Sequence, residues 1–333
     1  MLSYNHIYHA GNHADVFKHI TLSFLIFHLN QKTKPYTIIE SHAGSGKYNL
    51  HDERALKTNE MKTGIKKILN SPSLHTDITN ENFFRDFFLY FNFAKSCIKN
   101  DFYPGSPLIE KHFMRKCDNL ILCELNKNEC TLLKENVTSE LQNENLEQGT
   151  HPNVNSQGNS KSSELQNVPS IHIHNIDGFL AFTSLTPPRI KRGLFFCDPS
   201  YEEKDEYKKV AHSFEKLFSK WNTCIFALWY PLLFHKDNEC TLMKQKIIQK
   251  AKATSPNISV LDAALLINKK DSHKEMSLQE LKQNKNNPPR LYGSGMLIVN
   301  SPWQMDEKLK AVLPTLKNIL QVSENGSFEI TLH

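Results

Sequence analysis

Short apolar runs alternate with longer amphipathic stretches along most of this chain. The apolar runs have the length and the branched and aromatic residues of buried strands, and they cover 36–41, 120–125, 170–177, 193–198, 224–230, 258–267 and 295–300. Between most of them, apolar residues recur at helical spacing, as in 207–221. The alternation predicts an α/β fold with a mostly parallel seven-stranded sheet. No helical pattern separates the last two runs, so we expect them to form an antiparallel terminal hairpin.

Three segments interrupt this pattern. Residues 50–104 exceed the length of one crossover helix and contain a Phe-rich stretch at 82–99, which predicts an inserted small helical subdomain. Residues 137–168 are polar, almost free of aromatics and contain SELQN twice, which indicates a low-complexity insertion with no core to bury. Residues 269–290 form a further polar connection. We therefore expect 1–333 to be a single domain that carries these additions.

Composition narrows the class of protein only moderately. The chain has 333 residues, 39% of them hydrophobic, and a formal net charge of +5, which permits a nucleic-acid partner without requiring one. No apolar run reaches the roughly 18 residues of a membrane span, and the polar, His-rich start does not resemble a signal peptide. The seven cysteines include no CxxC pair. They are typical of reduced core thiols, and we expect a cytoplasmic protein without membrane contact.

The first strand leads into the glycine-rich turn ESHAGSGKY at 40–48, which would let a ligand approach the backbone closely. A Walker loop is excluded because it needs glycine where Ser41 stands and Ser or Thr where Tyr48 stands. The dinucleotide fingerprint fails because Asn49 occupies the place of its third glycine. The turn alone is as typical of an ordinary tight turn as of a ligand site.

Acidic residues end four consecutive strands, at Glu40, Glu124, Asp177 and Asp198. In open α/β sheets, ligands bind at the carboxyl ends of the strands. An acid after the second strand can accept both hydroxyls of a ribose, and Asp177, followed by Gly178, can accept from an adenine amino group. These residues favour a nucleoside ligand without essential phosphates, and S-adenosylmethionine fits because acids also favour its cationic sulfonium.

The fourth strand ends in RGLFFCDPSYEEKDEY at 192–207. The exocyclic amine of adenine is a poor nucleophile because its lone pair is delocalised into the ring. Two acceptors on its N–H bonds would free that pair, and Asp198 with the carbonyl of Pro199 could supply them. Tyr201 could stack on a base that has left its neighbours. The stretch therefore predicts transfer to an adenine amino nitrogen.

Other polar residues have alternative interpretations. Ser106 in YPGSPLIEKHF (103–113) predicts a helix cap with Pro107 at the first helical position. His6, His9 and His13 could share a helical face and bind a metal, but Gly11-Asn12 interrupts that helix, so we predict no metal site and favour a solvated or RNA-facing segment. A helix covering the cofactor would then begin at Lys18 and His19. The run at 228–231 is more typical of strand-end core than of the site.

The fourth-strand motif resembles the Asp-Pro-Pro-Tyr signature of amino-methyltransferases, with Ser200 in place of the second proline. Together with MLSYNHIYHAGNHADVFKH, HAGSGKY, YPGSPLI, ALWYP and GSGMLIVNSPW, it makes the chain similar to the bacterial RlmJ-type family over nearly its whole length. The resemblance implies a Rossmann-like class I methyltransferase with a helical insert after the first strand. It implies methylation of the adenine amino nitrogen in 23S ribosomal RNA, at the adenine numbered 2030. By the same resemblance, Asp198 is the catalytic acceptor, Tyr4 lies on the RNA side, and the S-adenosylmethionine contacts are His19, His42, Ser106, Glu124, Asp177, Gly178 and Asp198.

We therefore expect an S-adenosylmethionine-dependent adenine methyltransferase that acts as a monomer on 23S RNA, either protein-free or early in assembly. The same chemistry on DNA is one alternative, because the Asp-Pro-x-Tyr feature does not discriminate between nucleic acids. A noncatalytic RNA-binding module is a second, which the intact Gly44, Gly46, Glu124 and Asp198 disfavour. An NAD-dependent oxidoreductase is a distant third, disfavoured by the failed fingerprint.

Overall fold

The computed structural model describes residues 5–75, 81–138, 169–203, 205–269, 291–322 and 324–333. Its strands are β1 Thr37–Glu40, β2 Lys47–Asn49, β3 Phe102–Pro104, β4 Asn119–Cys123, β5 Ser170–His174, β6 Gly193–Cys197, β7 Ile225–Leu233, β8 Val260–Leu266, β9 Leu291–Val299 and β10 Ser327–Leu332. Its α-helices are α1 His13–Asn30, α2 Glu53–Thr58, α3 Ile65–Leu69, α4 Glu81–Lys99, α5 Ser106–Phe113, α6 Lys127–Thr138, α7 Gly178–Ser184, α8 Glu206–Lys220, α9 Asp237–Thr254 and α10 Met305–Leu320.

Among the described residues, the main sheet has eight strands in the order β10-β8-β9-β7-β6-β1-β4-β5. Strands β5, β4, β1, β6 and β7 are parallel neighbours, and β9 runs antiparallel to both β7 and β8. This confirms the α/β, Rossmann-like prediction with its antiparallel terminal pair. The carboxyl ends of the parallel strands meet at one edge, which is where the sequence predicts the ligand.

The predicted count of seven strands is wrong, because β10 adds an eighth strand beside β8. This strand carries few apolar residues and lies at the edge of the sheet, with residues that alternate between exposed and half-buried. An edge strand has a neighbouring strand on one side only and stays partly exposed to solvent. It therefore does not need the run of apolar residues that marks the buried strands. Strands β2 and β3 form a separate antiparallel pair on either side of the 50–101 segment.

Successive side chains of a strand point to opposite faces of the sheet. Helices cover both faces of this sheet, so both sets of side chains are buried. Ile38 and Phe196 pack on one side with α1, α5 and α10, while Ile39 and Phe195 pack on the other with α8 and α9. The helices of the 50–104 segment pack on the first side: α4 contacts α1, and α3 contacts α10. Their buried residues belong to the same apolar cluster as those of α1.

The predicted insertion at 137–168 starts too early. Residues 137 and 138 complete α6, where Val137 is buried and its carbonyl accepts a hydrogen bond from Lys111 Nζ at 2.6 Å. The rest of that segment, and 270–290, lie outside the described residues. All seven cysteines are free, and six of them are buried. Within the described part of the chain, no helix is both long enough and apolar enough to cross a membrane.

Candidate active site

Four strands deliver acidic residues to the same edge of the sheet. Strand β1 ends at Glu40, Glu124 follows β4 directly, Asp177 lies three residues beyond β5, and Asp198 follows β6 directly. Because β5, β4, β1 and β6 are adjacent and parallel, the structure brings these residues together as the sequence predicts. The side chains nevertheless have different environments, which indicate different functions.

Asp198 is bound by a lysine from the N-terminal helix. Lys18 Nζ lies 2.6 Å from Asp198 Oδ2 and 2.9 Å from Asp15 Oδ1, and its side chain is 5% exposed. Burial alone would lower the pKa of Lys18, but the carboxylates of Asp15 and Asp198 outweigh it and raise that pKa above its ordinary value. Lys18 is therefore a permanent cation, and it fixes the position of one carboxylate oxygen of Asp198.

A second layer of contacts holds Asp15. One of its oxygens accepts a hydrogen bond from the Gly11 amide at 2.9 Å and lies 3.0 Å from His6 Nε2. Burial would raise the pKa of Asp15, but His6 and Lys18 lower it well below the usual range. The N-terminal segment is thus joined through Asp15 and Lys18 to the carboxylate at the end of β6.

The helix that carries Lys18 begins earlier than predicted. It starts at His13, where the Asn12 side chain caps it by accepting from the Asp15 amide, so Lys18 and His19 lie in its second turn. His9 lies 3.0 Å from Glu60, and His6 contacts Asp15. Among the described residues, no group of three or more His, Cys, Asp or Glu side chains is arranged to hold a metal ion.

His19 presents a buried nitrogen that has no partner in the described part of the chain. Its ring is 1% exposed, Nδ1 lies 2.9 Å from the hydroxyl of Tyr103, and Nε2 is the atom without a hydrogen bond. Burial lowers the pKa of His19 well below its ordinary value, so the ring is neutral near pH 7. A buried polar atom without a partner is costly, and a polar ligand group would satisfy this one.

The glycine-rich turn and Glu124 form one unit. Gly44 adopts the left-handed region with φ of 60°, and its amide donates to Glu124 Oε2 at 2.8 Å. The Asn126 amide donates to the other oxygen at 2.7 Å. Burial raises the pKa of Glu124, while these two amides oppose the shift. The carboxylate is held by the backbone and retains acceptor capacity for a pair of hydroxyls.

The part of the site beside the glycine-rich turn contains Asp177, Gly178 and His42. Asp177 caps α7 by accepting from the Phe179 amide at 2.9 Å. A Cβ at Gly178 would lie 2.0 Å from the Ser41 carbonyl oxygen, so only glycine permits this approach of α7 to the end of β1. His42 Nδ1 lies 2.8 Å from the Ser41 hydroxyl, and burial lowers the pKa of His42 to about 4. A neutral imidazole therefore borders the turn.

Ser106 is not the predicted helix cap. Gly105 is the N-cap of α5, and Ser106 and Pro107 occupy the first two helical positions. The Ser106 hydroxyl donates instead to Glu40, which is fully buried beside a second fully buried carboxyl, Glu110. Burial raises the pKa of Glu40 to about 8, and burial together with Glu40 raises the pKa of Glu110 well above its usual range. Both carboxyls therefore favour their protonated, neutral forms beneath the site, unlike the charged tip predicted at Glu40.

Tyr201 differs from its predicted place as an open stacking plate. Its ring is 5% exposed and packs against Tyr207 with a centroid separation of 4.5 Å. Its backbone is left-handed, with φ of 55°, and its hydroxyl donates to the Trp229 carbonyl at 2.9 Å. Pro199 is also buried. Stacking of Tyr201 on a base stays a prediction, and it requires the loop after Asp198 to open.

Trp229, which the sequence pattern did not place in the site, lies close to Lys18 and Tyr201. Lys18 Nζ is 5.9 Å from its ring centroid, and its ring is 6.0 Å from that of Tyr201. Lys18 and Asp15 were also missing from the predicted cofactor and catalytic residues. One signal in the sequence points to both: charged residues in an otherwise apolar helical stretch need a buried partner. Tyr4 lies outside the described residues.

The sheet order and the acids at its carboxyl edge define a Rossmann-like methyltransferase of class I. Comparison with known proteins adds the family. The family model described as "Ribosomal RNA large subunit methyltransferase D, RlmJ" matches residues 33–161 and 151–332, and this chain belongs to that family.

The similarity to known proteins extends over nearly the whole chain. The ribosomal RNA large subunit methyltransferase J of Escherichia coli K12 is 29% identical and covers 98% of this chain and 96% of its own. The protein of the same name from Haemophilus influenzae is 27% identical, with 99% and 98% covered. A crystal structure of a Legionella pneumophila protein is 27% identical and superposes with a TM-score of 0.68 over 97% of this chain and 98% of its own.

Proposed function

We propose that this protein transfers the methyl group of S-adenosylmethionine to the exocyclic amino nitrogen of an adenine in 23S ribosomal RNA. The observation that carries the proposal is the Asp198 carboxylate, which Lys18 holds at 2.6 Å at the carboxyl edge of the sheet, beside the Glu124 turn. Membership in a family of ribosomal RNA large subunit methyltransferases supports the RNA substrate. The names of the relatives specify neither the base nor the atom, so the choice of adenine rests on the Asp198 motif.

The residues at this edge suit S-adenosylmethionine. Glu124, oriented by two backbone amides, would accept from the ribose hydroxyls. The unpartnered Nε2 of His19 would donate to the carboxylate of the amino-acid portion. His42, Ser106, Asp177 and Gly178 would complete the set. When bound, the cofactor supplies an electrophilic methyl group on a sulfonium.

Asp198 and the carbonyl of Pro199 would act on the adenine. Each accepts one N–H of the exocyclic amine, which holds the nitrogen in place and makes its lone pair available. The nitrogen would become positively charged as its bond to the methyl carbon forms and the bond between that carbon and the sulfonium sulfur breaks, which leaves a neutral thioether; the Asp198 carboxylate would stabilise the charge on nitrogen. Lys18 keeps this carboxylate fixed before the substrate arrives, so little reorganisation is needed during the reaction. After transfer, the nitrogen would lose one proton through its hydrogen bond to the Asp198 carboxylate, which passes the proton to solvent.

A methylation assay tests the proposal. Purified protein is incubated with methyl-labelled S-adenosylmethionine and either protein-free 23S RNA or duplex DNA, and labelled nucleosides are identified by mass spectrometry. We expect N6-methyladenosine at a single position of the RNA and no label in DNA. Label only in DNA would favour a DNA adenine methyltransferase, and label on another base or atom would contradict the assignment of Asp198. Failure to bind S-adenosylmethionine in calorimetry would instead indicate a noncatalytic module.

A further inference from the structure

The two edges of the main sheet carry opposite charge. The segments that follow β4, β5 and β6 at the active edge (124–126, 175–178 and 198–206) contain seven acidic residues and one lysine. The segments that precede β1, β4 and β6 at the opposite edge (31–36, 114–118 and 186–192) contain seven basic residues and one acid, Asp118. Asp118 is fully buried and paired with Arg115. Of these two sets of segments, the one at the opposite edge is therefore the one that attracts a polyanion.

Two arginines build this opposite edge. Arg115 donates to the Lys32 carbonyl at 2.8 Å, and Arg192 donates to the Lys34 carbonyl at 2.7 Å. Both guanidinium groups lie over the Tyr36 ring, 5.3 and 5.5 Å from its centroid. Three loops are thereby joined, and their exposed cations form one surface. We call this surface the basic rim: Lys32, Lys34, Lys116, Arg189 and Lys191.

An exposed tryptophan adjoins the basic rim. Trp303 is 82% exposed, and with Phe24, His28 and Gln31 it lines a cavity of about 140 Å³. Gln31 is the chain neighbour of Lys32 and connects the cavity to the rim. Such exposure of an indole is unusual for a folded chain. Trp303 also ends the GSGMLIVNSPW motif, which the proposed active site does not use.

The loop that carries Trp303 is anchored. The Asn300 side chain donates to the carbonyls of Asn222 and Cys224 at 2.8 and 2.7 Å, which ties the loop to the start of β7. Burial, Lys308, Arg192 and Lys32 lower the pKa of His28, which leaves a neutral imidazole in the cavity. The exposed acidic residue nearest to Trp303 in sequence is Glu307, which supplies one negative charge beside the five positive charges of the basic rim.

We propose that the basic rim and the Trp303 cavity form a second RNA contact, in which the rim binds phosphates and Trp303 stacks on an unpaired base distant from the target adenine. Stacking on aromatic residues beside a cationic surface is the common mode for single-stranded nucleic acid. A symmetric interface between two copies of this surface fits less well, since like charges would face each other. The choice of RNA rests on the proposed function. The five residues of β6 place this surface about 17 Å or more from Asp198.

Binding measurements with charge and aromatic variants test this proposal. Protein-free 23S RNA is titrated with wild type, the double variant Lys32→Glu/Lys34→Glu, and Trp303→Ala at several salt concentrations. We expect the double variant to bind at least about tenfold more weakly and to lose about 1.4 from the slope of log affinity against log salt, the share of two phosphate contacts. Trp303→Ala should lose about five- to a hundredfold, as for one stacked base, and Trp303→Phe should retain most of the affinity. Lys216→Glu/Lys246→Glu, at exposed positions of α8 and α9, is the control matched in charge.

Three further readouts separate this surface from the active site and from an interface between copies. Calorimetric affinity for S-adenosylmethionine should stay at the wild-type value, and any rise in KM for RNA should leave kcat unchanged. Unaltered RNA binding by both variants would overturn the proposal. So would a wild-type dimer in sedimentation that Trp303→Ala converts to monomer. Binding is measured without catalysis, so rim-dependent binding by a protein that methylates no RNA would contradict only the proposed function.

Discussion

Lys18 Nζ lies 2.6 Å from the carboxylate of Asp198, across 180 residues of chain, and both groups are largely buried. The contact joins the N-terminal helix to the end of β6 and makes the position of the proposed catalytic acceptor depend on α1. Because the same lysine binds Asp15, two carboxylates share one cation. The site is thus an electrostatic network that exists before any substrate binds.

Replacing Lys18 by Met should impair both stability and reaction. The variant leaves two carboxylates without their buried cation, and breaking such a pair costs about 3–5 kcal/mol in free energy of unfolding. Below the melting temperature, we expect single-turnover methyl transfer to fall at least about tenfold, because Asp198 is no longer fixed, with a smaller loss of S-adenosylmethionine affinity. Lys209→Met is the control, since its ion pair with Glu203 is exposed to solvent and contributes little to stability. Equal rates for Lys18→Met and wild type would exclude this positioning function.

The buried pair of Glu40 and Glu110 predicts a pH dependence of stability. The pKa of Glu40 in the folded protein is about 8, above its ordinary value of 4.5, so the folded state binds protons that the unfolded state has released. This contribution is fully present below pH 4.5 and is lost as pH rises towards 8, by up to ~1.4 kcal/mol per pH unit for one proton.

Glu110→Gln tests this assignment, because it removes one ionisable group and still offers a donor to Glu40. Urea denaturation from pH 5 to 8 should show a flatter decline in the free energy of unfolding than in wild type. Glu53→Gln, at an exposed position of α2, should leave the decline unchanged. A Glu110→Gln profile that coincides with wild type would show that the pair does not take up protons on folding.

Tyr201→Phe separates the buried hydroxyl from the ring. Loss of the hydrogen bond to the Trp229 carbonyl should lower the free energy of unfolding by about 1 kcal/mol. The ring remains, so we expect turnover on RNA to fall less than tenfold. If Tyr201→Phe is as inactive as Asp198→Ala, the hydroxyl takes part in the reaction.

Much of the fold could be predicted because apolar runs mark buried strands. Acidic residues at or just after the ends of four parallel strands predicted which edge of the sheet carries the candidate site. Glu124, Asp177 and Asp198 do lie at that edge. The edge strand β10 escaped prediction because it needs no apolar run. The cap at Gly105 was missed because Ser106 is the better capping residue by type, yet its hydroxyl is committed to Glu40.

The contacts of Lys18 could not be predicted from spacing. Its partners lie three and 180 residues away, and only the fold decides which carboxylate a buried lysine meets. Tyr201 shows the same limit. Its residue type suits stacking on a base, but the left-handed backbone turns its hydroxyl towards β7.

Whether Asp198 accepts a hydrogen bond from the reacting amine is tested most directly by the single-turnover rate of Asp198→Ala at saturating S-adenosylmethionine. Glu124→Ala is the comparison. Asp198→Ala should reduce methyl transfer to the RNA at least about a hundredfold while calorimetric cofactor affinity falls far less. Glu124→Ala should mainly weaken cofactor binding, because its contact is the same in ground and transition states. A near-normal rate for Asp198→Ala with saturating cofactor would contradict the assignment.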